Sequence, residues 1–399
     1  MVLGPGGSGV STLAAAGALE LARAAAPARG SGPLARADTG GVLLVSVDPR
    51  SDLPRRLGVF RVPGQPVPVT GELDLLHLDP LAVTETAWSG FTGALAGVGA
   101  ARSLPLVGTL TGVDAGELTG LPGISEFLLL RAIRDAATSG RWQRVVVDLS
   151  GAGDPFAVLR SPTVLATAID RLWPRHRRLA EAAEKPALAQ IATAVEGIDR
   201  DCQDLRELIA DSHEVSVHLV GTGGQRGLAR IGDDVAAADV MGLPLRSVLV
   251  NAGSGGLPTE AVLDRARGLL GSDAGSAVSM VTIGAHDEEP VRLSRLRKLR
   301  VALPAPNGRP RAAAAPVVEH VGGEGLDAEY RLSWRQALPD PEQLALGRSG
   351  DDLLVTIAGF RQPVRLPSVL RRCQVTAADW DGARLSVGFR PDPAVWPQR

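Results

Sequence analysis

The chain has 399 residues, enough for two domains, and its hydrophobic (45%) and charged (22%) fractions are those of a globular protein. A formal net charge of −2 provides no basic field, so we expect no nucleic-acid partner. We recognise no signal peptide in the sequence, and no apolar run is long enough to predict a transmembrane helix. Cys202 and Cys373 have no metal-ligand spacing, which predicts a cytoplasmic protein without a disulfide framework, either free or peripheral at a membrane.

A glycine-rich turn opens the chain, with the sequence Gly4-Pro5-Gly6-Gly7-Ser8-Gly9-Val10-Ser11-Thr12. We call residues 4–12 the glycine loop. It lies between a short apolar run and a helix predicted over residues 12–26. Glycines let the backbone approach an anion, and the N–H groups of a helix N-terminus point at it, so the loop predicts a phosphate site. The pattern G-x-x-x-x-G-K-[ST] has a lysine where this chain has Val10. The first strand is also very short, which predicts either that translation starts upstream or that this strand is truncated, and we favour the upstream start.

Apolar runs and helical segments alternate as far as residue 299, which predicts an α/β fold with a doubly wound, mostly parallel sheet. The strands are predicted at residues 41–47, 73–78, 144–147, 215–220, 247–250 and 278–283. Polar residues follow three of these strands: Asp48, Asp148 and Asn251. Because parallel strands bind ligands at their carboxyl ends, we expect these side chains on the rim that carries the glycine loop.

The amino-acid composition and the hydrophobic pattern change after residue 302. Residues 303–325 are rich in Pro, Ala and Gly and predict a linker. Residues 326–399 contain short alternating segments separated by turns, which predict a small antiparallel β-sandwich. Before the linker, residues 164–210 predict a charged helical subdomain that is broken at Pro174 and Pro186.

Residues 1–302 resemble the arsenite-pump and tail-anchored-protein-targeting ATPases, the ArsA type of deviant P-loop NTPase. The family signature G-K-G-G-x-G-K-[ST]-T lies position by position on the glycine loop. The first switch, D-P-A-H, falls on residues 48–51, the second switch on residues 148–162, and the V-V-N strand end on residues 249–251. Two weaker family elements fall on Leu78-Asp79-Pro80 with Glu85-Thr86-Ala87-Trp88, and on Pro122-Gly123-Ile124-Ser125-Glu126.

Residues 326–390 resemble the α-crystallin-type domain that some bacterial members of this family carry at their C-terminus. The matching residues are Gly350-Asp351-Asp352-Leu353-Leu354-Val355, Arg365-Leu366-Pro367 and Asp381-Gly382-Ala383-Arg384-Leu385.

The resemblance implies binding of ATP or ADP with Mg²⁺. It implies that Gly4, Gly6, Gly7, Ser8, Gly9 and Thr12 cradle the phosphates, that Ser11 and, through water, Asp148 hold Mg²⁺, that Asn251 binds adenine, and that Asp48 orients or deprotonates the attacking water. The alternatives are a decayed loop whose glycines keep only the turn, and, for Asp48, a polar residue that merely ends a strand.

The chain lacks several charged and metal-binding residues of the family signature. Pro5 and Val10 replace both signature lysines, Ser51 and Asp154 replace the histidines of the two switches, and residues 252–258 lack the cysteines that join two subunits through zinc. One lost donor in a phosphoryl-transfer site costs about 3–4 kcal/mol of transition-state stabilisation. We therefore expect nucleotide binding with weak or absent hydrolysis, in a regulatory subunit of a homodimer or of a heterodimer with an intact paralogue.

Three alternatives stay open. An active ATPase that drives anion or metalloid export or protein targeting would need an arginine such as Arg50 or Arg226 in place of the lysine. A chaperone-like holdase would act through residues 326–399. A dinucleotide-binding role is disfavoured because Asp48 lies too far beyond the loop.

The helical subdomain is interpreted as a solvated helical pair. A client-binding role is less favoured, because a groove for an apolar client would be rich in methionine and the whole chain has three methionines. His77 is interpreted as a surface or packing residue.

Overall fold

The computed structural model describes residues 1–25, 41–96, 112–117, 123–251, 260–270, 278–284, 288–309 and 316–396. The chain divides into two compact units, each described by itself: Met1–Ile209 with Glu288–Leu303, and Ala210–Asp287 with Pro304–Arg399. Pro122 and the segment 252–258, which stands where the family has its zinc cysteines, lie outside the described residues.

The first unit contains five strands of the mixed sheet, in the order β3-β4-β2-β5-β1. All of them are parallel except β3, which pairs antiparallel with β4. The middle of β2 is completely buried, as expected of a parallel strand with both faces covered. The strands are β1 (Val2–Leu3), β2 (Gly41–Ser46), β3 (Pro66–Pro68), β4 (Leu73–His77) and β5 (Trp142–Asp148).

Helices follow these strands along the chain. The helical segment is interrupted at Pro174 and Pro186, as predicted, because proline has no N–H to bond to the preceding turn. The helices of this unit are α1 (Val10–Ala25), α2 (Leu53–Leu57), α3 (Pro80–Ala96), α4 (Ile124–Ala137), α5 (Pro155–Leu172), α6 (Arg175–Glu184), α7 (Pro186–Ala210) and α10 (Leu293–Lys298).

The second unit begins with three parallel strands, in the order β6-β7-β8. Its α/β elements are β6 (Val217–Thr222), α8 (Gln225–Val240), β7 (Leu245–Asn251), α9 (Glu260–Leu270) and β8 (Ser279–Ile283). Both units thus contain parallel strands that alternate with helices, and the predicted α/β fold with a mostly parallel sheet is confirmed.

Two antiparallel sheets follow, in the orders β14-β15-β10-β9 and β11-β12-β13. Buried and less buried residues alternate along β12 and β15, the pattern of strands covered on one face. The predicted small antiparallel β-domain is therefore present. Its strands are β9 (Val317–Gly322), β10 (Glu329–Arg335), β11 (Ala345–Ser349), β12 (Asp352–Ile357), β13 (Phe360–Arg365), β14 (Cys373–Trp380) and β15 (Arg384–Pro391).

Two of these strands differ from the sequence-based expectation. β9 lies within the segment 303–325 that composition predicts to be a linker, yet it pairs along its length with β10. β14 lies in a stretch for which no strand is predicted. Both are largely exposed edge strands, so they lack the apolar alternation that identifies a half-buried strand.

The β-domain is joined to α8 by buried polar contacts. The side chain of Gln336 is completely buried, and its Nε2 donates to the main-chain oxygens of Ala236 and Ala337 at 2.9 Å. The N–H of Ala337 donates to the carboxylate of Asp239, which is 4% exposed, at 2.8 Å. These bonds fix the β-domain against one helix of the second unit.

Candidate functional site

The glycine loop connects β1 to α1 and is shaped by two left-handed glycines. Gly7 has φ +80° and Gly9 has φ +94°, a region that residues with a side chain rarely adopt. Between them Ser8 turns back, and both its N–H and its hydroxyl donate to the oxygen of Pro5, at 3.2 and 2.7 Å. A Cβ added to Gly7 would have no neighbour within 4 Å, so the outer side of the turn is open.

The first turn of α1 supplies amide donors beside this open turn. Val10 begins the helix, and the first intrahelical bond runs from the N–H of Leu13 to the oxygen of Gly9 at 2.9 Å. The N–H groups of residues 10–12 therefore have no intrahelical partner, which is the arrangement that binds anions at a helix start. Gly4 and Ser8 are buried, whereas Gly6 and Gly7 are exposed at the open side.

Val10 stands where the family signature has its lysine, and its side chain is 2% exposed. The position is therefore occupied by an apolar group that packs into the core. Pro5, at the other signature position, has neither a charge nor an N–H. The loop keeps its backbone geometry and has lost both of its side-chain cations.

Asp148 ends β5 and is completely buried. Its Oδ1 accepts a hydrogen bond from the N–H of Ser150 at 3.0 Å, while its Oδ2 has no partner among the described residues. Burial raises the pKa of this carboxyl, although the hydrogen bonding from Ser150 acts in the opposite direction. A buried carboxylate oxygen without a partner is costly unless a water or a cation completes it.

Ser11 and Asp148 are linked through the second switch. The hydroxyl of Ser11 lies 2.6 Å from that of Ser150, whose N–H bonds to Asp148. Hydroxyl and carboxylate oxygens are the ligands that Mg²⁺ takes, usually with several waters retained. The side chains present therefore fit a hydrated Mg²⁺ held by Ser11 and, through water, by Asp148.

Asp48 lies in the first switch and is brought against the second switch by a glycine. Its Oδ1 accepts from the N–H of Arg50 at 2.9 Å, which forms a tight turn after the strand. Gly151, with φ +74°, approaches so closely that a Cβ on it would collide with the Cβ of Asp48. The two switches thus meet at this pair, in the same unit as the glycine loop.

Asp154, which replaces a switch histidine, caps a helix. Its Oδ1 accepts from the N–H of Phe156 at 3.0 Å, and Pro155 starts α5 directly after it. Aspartate is among the preferred residues at this position because it satisfies an unpaired helix N–H. The carboxylate therefore has a structural role at the start of α5.

Asn251 belongs to the second unit. It ends β7, where its main-chain oxygen accepts from the N–H of Gly223 at 3.1 Å. Its place at the carboxyl end of a parallel strand is the one predicted from the sequence. Arg226 also belongs to the second unit, and Arg50 is exposed in the first switch.

Sequence reasoning missed a polar row across the sheet. His77 on β4, Ser46 on β2 and Asp148 on β5 occupy one register position on neighbouring parallel strands. Each is at most 3% exposed, and each has a buried polar atom without a partner among the described residues: His77 Nδ1, Ser46 Oγ and Asp148 Oδ2. Burial, reinforced by the charge of Arg61, lowers the pKa of His77. The register of the strands, which cannot be read from sequence, reveals this row.

None of the described helices combines the length and the apolar content needed to cross a membrane. In the described part of the chain, no three His, Cys, Asp or Glu side chains form a metal-ligand cluster.

Comparison with known proteins gives matches over the whole chain. A family model described as anion-transporting ATPase matches residues 1–253, and one described as an HSP20-like domain found in ArsA matches residues 327–389. Protein Rv2184c of Mycobacterium tuberculosis is 34% identical over 436 residues, which cover 100% of this chain and 97% of that protein. An uncharacterized protein of Streptomyces coelicolor, SCO2128, is 32% identical over 421 residues, covering 100% and 98%. A putative arsenical pump-driving ATPase of Chlorobaculum tepidum is 20% identical over 347 residues, covering 82% of each chain.

Proposed function

Since the chain belongs to the anion-transporting ATPase family of the ArsA type, we propose that it binds ATP or ADP with Mg²⁺ at the glycine loop and hydrolyses ATP slowly or not at all. The observation that carries this proposal is the contrast within one site. The left-handed glycines and the helix amides remain, while the side chain at the lysine position is a buried valine. Backbone amides bind phosphates without a lysine, but they supply less of the charge that the transition state needs.

The roles of the remaining residues follow from their chemistry. When bound, Mg²⁺ would neutralise phosphate charge, and Ser11 with Asp148 would hold it. Thr12 would donate its hydroxyl to a phosphate oxygen. Asn251 would accept and donate at the adenine edge through its amide, a role that needs no catalytic competence. Asp48 is the candidate to orient the attacking water in any residual turnover, because a carboxylate at that place can accept a proton.

We further propose that the chain acts as a regulatory or binding subunit of a dimer. Family members work as dimers across a nucleotide interface, in which the first signature lysine reaches the nucleotide of the other subunit. Pro5 cannot make that contribution. In a dimer with an intact paralogue, this chain would therefore receive a lysine at its own nucleotide site without returning one to the site of the partner.

Calorimetric titration of ATP and ADP with Mg²⁺ tests this function, on the chain alone and mixed with a family member that carries both lysines. We expect saturable binding to the chain alone without ordinary family turnover, and a phosphate release in the mixture that differs from that of the intact family member alone. Ordinary family turnover by the chain alone would overturn the inactive assignment, and the absence of nucleotide binding would overturn the function as a whole.

A further inference from the structure

Arg56 is an arginine that contacts the glycine loop, although it lies 44 residues beyond it in sequence. It sits on the short helix α2, and its Nη1 donates to the Oγ1 of Thr12 at 3.1 Å. The side chain is only 15% exposed. The sequence pointed to Arg50 and Arg226 as possible substitutes for the lysine; the structure brings Arg56 to the loop.

All three guanidinium nitrogens of Arg56 are engaged. Nε donates to Asp52 Oδ2 at 2.6 Å, and Nη2 donates to Glu289 Oε1 at 3.2 Å. The two carboxylates differ in exposure, since Asp52 is 39% exposed and Glu289 is 70% exposed. The short bond to Asp52, four residues earlier, thus holds the Nε end of the guanidinium. Its Nη2 is paired with a carboxylate that is mostly exposed to solvent.

The contact with Thr12 fixes the direction of a proton. A guanidinium has five N–H donors and no acceptor, so Thr12 Oγ1 must be the acceptor in this bond. The hydroxyl proton of Thr12 is then free to be donated in another direction. If the loop binds nucleotide, the acceptor for this proton would be a phosphate oxygen.

On these contacts, and resting on the proposed function, we infer that Arg56 is a cation that holds the phosphates of bound nucleotide at the loop, a binding role that does not restore the contacts of the lost lysines in the transition state. It positions the Thr12 hydroxyl for a phosphate oxygen, and its Nη2 exchanges the exposed carboxylate of Glu289 for a phosphate. The exchange is inexpensive because ion pairs at an exposed carboxylate contribute little stability. Arginine suits the role, since its fork can hold Thr12 and a phosphate at the same time.

The exchange makes two substitutions act in opposite directions. Arg56→Gln removes a charged donor to the phosphate and should weaken binding of ADP with Mg²⁺ by about 10-fold or more. Glu289→Gln removes the competing carboxylate and should tighten binding by roughly 2- to 5-fold. A purely structural role for Arg56 predicts no gain of affinity in Glu289→Gln.

The chain offers a matched control in Arg55. It lies on the same helix and also bonds to Asp52, at 3.3 Å, but its side chain is 73% exposed and points to no residue of the loop in the contacts described. Arg55→Gln should bind ADP as the unmodified protein does. Arg56→Lys, which keeps the charge and loses the fork, should bind with intermediate affinity and guards against misfolding of the glutamine variant.

The test is a set of calorimetric titrations of the full chain with ADP and Mg²⁺, for the unmodified protein, Arg56→Gln, Arg56→Lys, Arg55→Gln, Glu289→Gln, Thr12→Val and the double variant of Arg56→Gln with Thr12→Val. We expect the double variant to lose less than the product of the single losses, because the two side chains act together. Equal affinity of Arg56→Gln and Arg55→Gln, with the unmodified protein binding ADP, would overturn this inference alone. No binding by the unmodified protein would overturn the proposed function with it.

Discussion

Gln336, directly after β10, donates its side-chain amide to the main-chain oxygen of Ala236 in α8, at 2.9 Å and completely buried. Its Oε1 accepts from the indole N–H of Trp334 at 3.1 Å. Both ends of the amide are thus satisfied inside the second unit. The β-domain of this protein is anchored by its own buried polar groups to the helix that follows β6.

Replacing this amide tests the anchor. Gln336→Ala removes the acceptor of Trp334 Nε1 and the donor to the main-chain oxygen of Ala236 in α8. We therefore expect the free energy of unfolding to fall by about 1–3 kcal/mol. Gln374→Ala, on the exposed strand β14, should change stability by less than about 0.5 kcal/mol. Thermal unfolding and hydrogen exchange of α8 amides measure both. Equal midpoints and equal exchange for the two variants would show that the anchor does not contribute.

A second prediction concerns the missing charge at Val10. Val10→Lys should tighten ADP binding by at least about 10-fold, since it would add a cation at the first helical residue, beside the amides proposed to bind the phosphates. Because Val10 is 2% exposed, the variant should also be less stable without nucleotide. Val10→Met, of similar length but uncharged, is the control for volume. Affinities that do not differ between the lysine and methionine variants would mean that charge at this position does not limit binding.

The close approach of the two switches gives a third prediction, with a control built into the chain. Gly151→Ala and Gly153→Ala both place a side chain at φ near +75°, which costs about 1–2 kcal/mol in each. Only at Gly151 would the new Cβ collide with Asp48; at Gly153 nothing lies within 4 Å. We expect Gly151→Ala to lose more stability and to weaken nucleotide binding, while Gly153→Ala keeps its affinity. The reverse order of the two losses would contradict the arrangement of the switches.

The burial of Asp148 predicts a pH-dependent gain from a neutral side chain. The pKa of Asp148 is raised in the folded protein, so ionisation there opposes folding, and this cost appears as the pH rises through the native pKa. At pH 7, Asp148→Asn should be more stable than the unmodified chain by about 1–3 kcal/mol. The difference should vanish at acid pH, where Asp148 is protonated in both states.

The same variant separates stability from function. Asp148→Asn should lose the dependence of nucleotide affinity on Mg²⁺, because an amide is a poorer partner for hydrated Mg²⁺ than a carboxylate. Asp48→Asn is the control: Asp48 is only partly buried and its Oδ1 is paired with the N–H of Arg50, so no gain in stability is expected. Thermal melts across pH and titrations with and without Mg²⁺ measure these effects. A loss of stability in Asp148→Asn at pH 7 would contradict the burial argument.

The sequence predicted those features that depend on local pattern. Buried parallel strands are continuous apolar runs, so β2 and β5 were found, and their polar ends Asp48 and Asp148 with them. The glycine loop was found because its left-handed turns need glycine at positions such as Gly7. Fold class and family were both within reach of such signals.

What the sequence did not reveal depends on register and on contacts between distant residues. The sequence predicts only a surface or packing role for His77, whereas its side chain lies buried in a row with Ser46 and Asp148 that the pairing of β4, β2 and β5 brings together. The contact of Arg56 with Thr12 likewise joins two helices whose separation in sequence carries no signal. The edge strand β14 escaped prediction because most of its residues are exposed, so no apolar alternation marks it.

We propose that the glycine loop binds nucleotide without hydrolysing it efficiently. The most direct test is to incubate the protein with ATP and Mg²⁺, remove free nucleotide by rapid gel filtration, and identify the nucleotide that stays bound. We expect stoichiometric bound nucleotide, recovered as ATP after an incubation in which an ordinary family ATPase would convert it to ADP. Recovery as ADP with continued phosphate release, or no bound nucleotide at all, would contradict it.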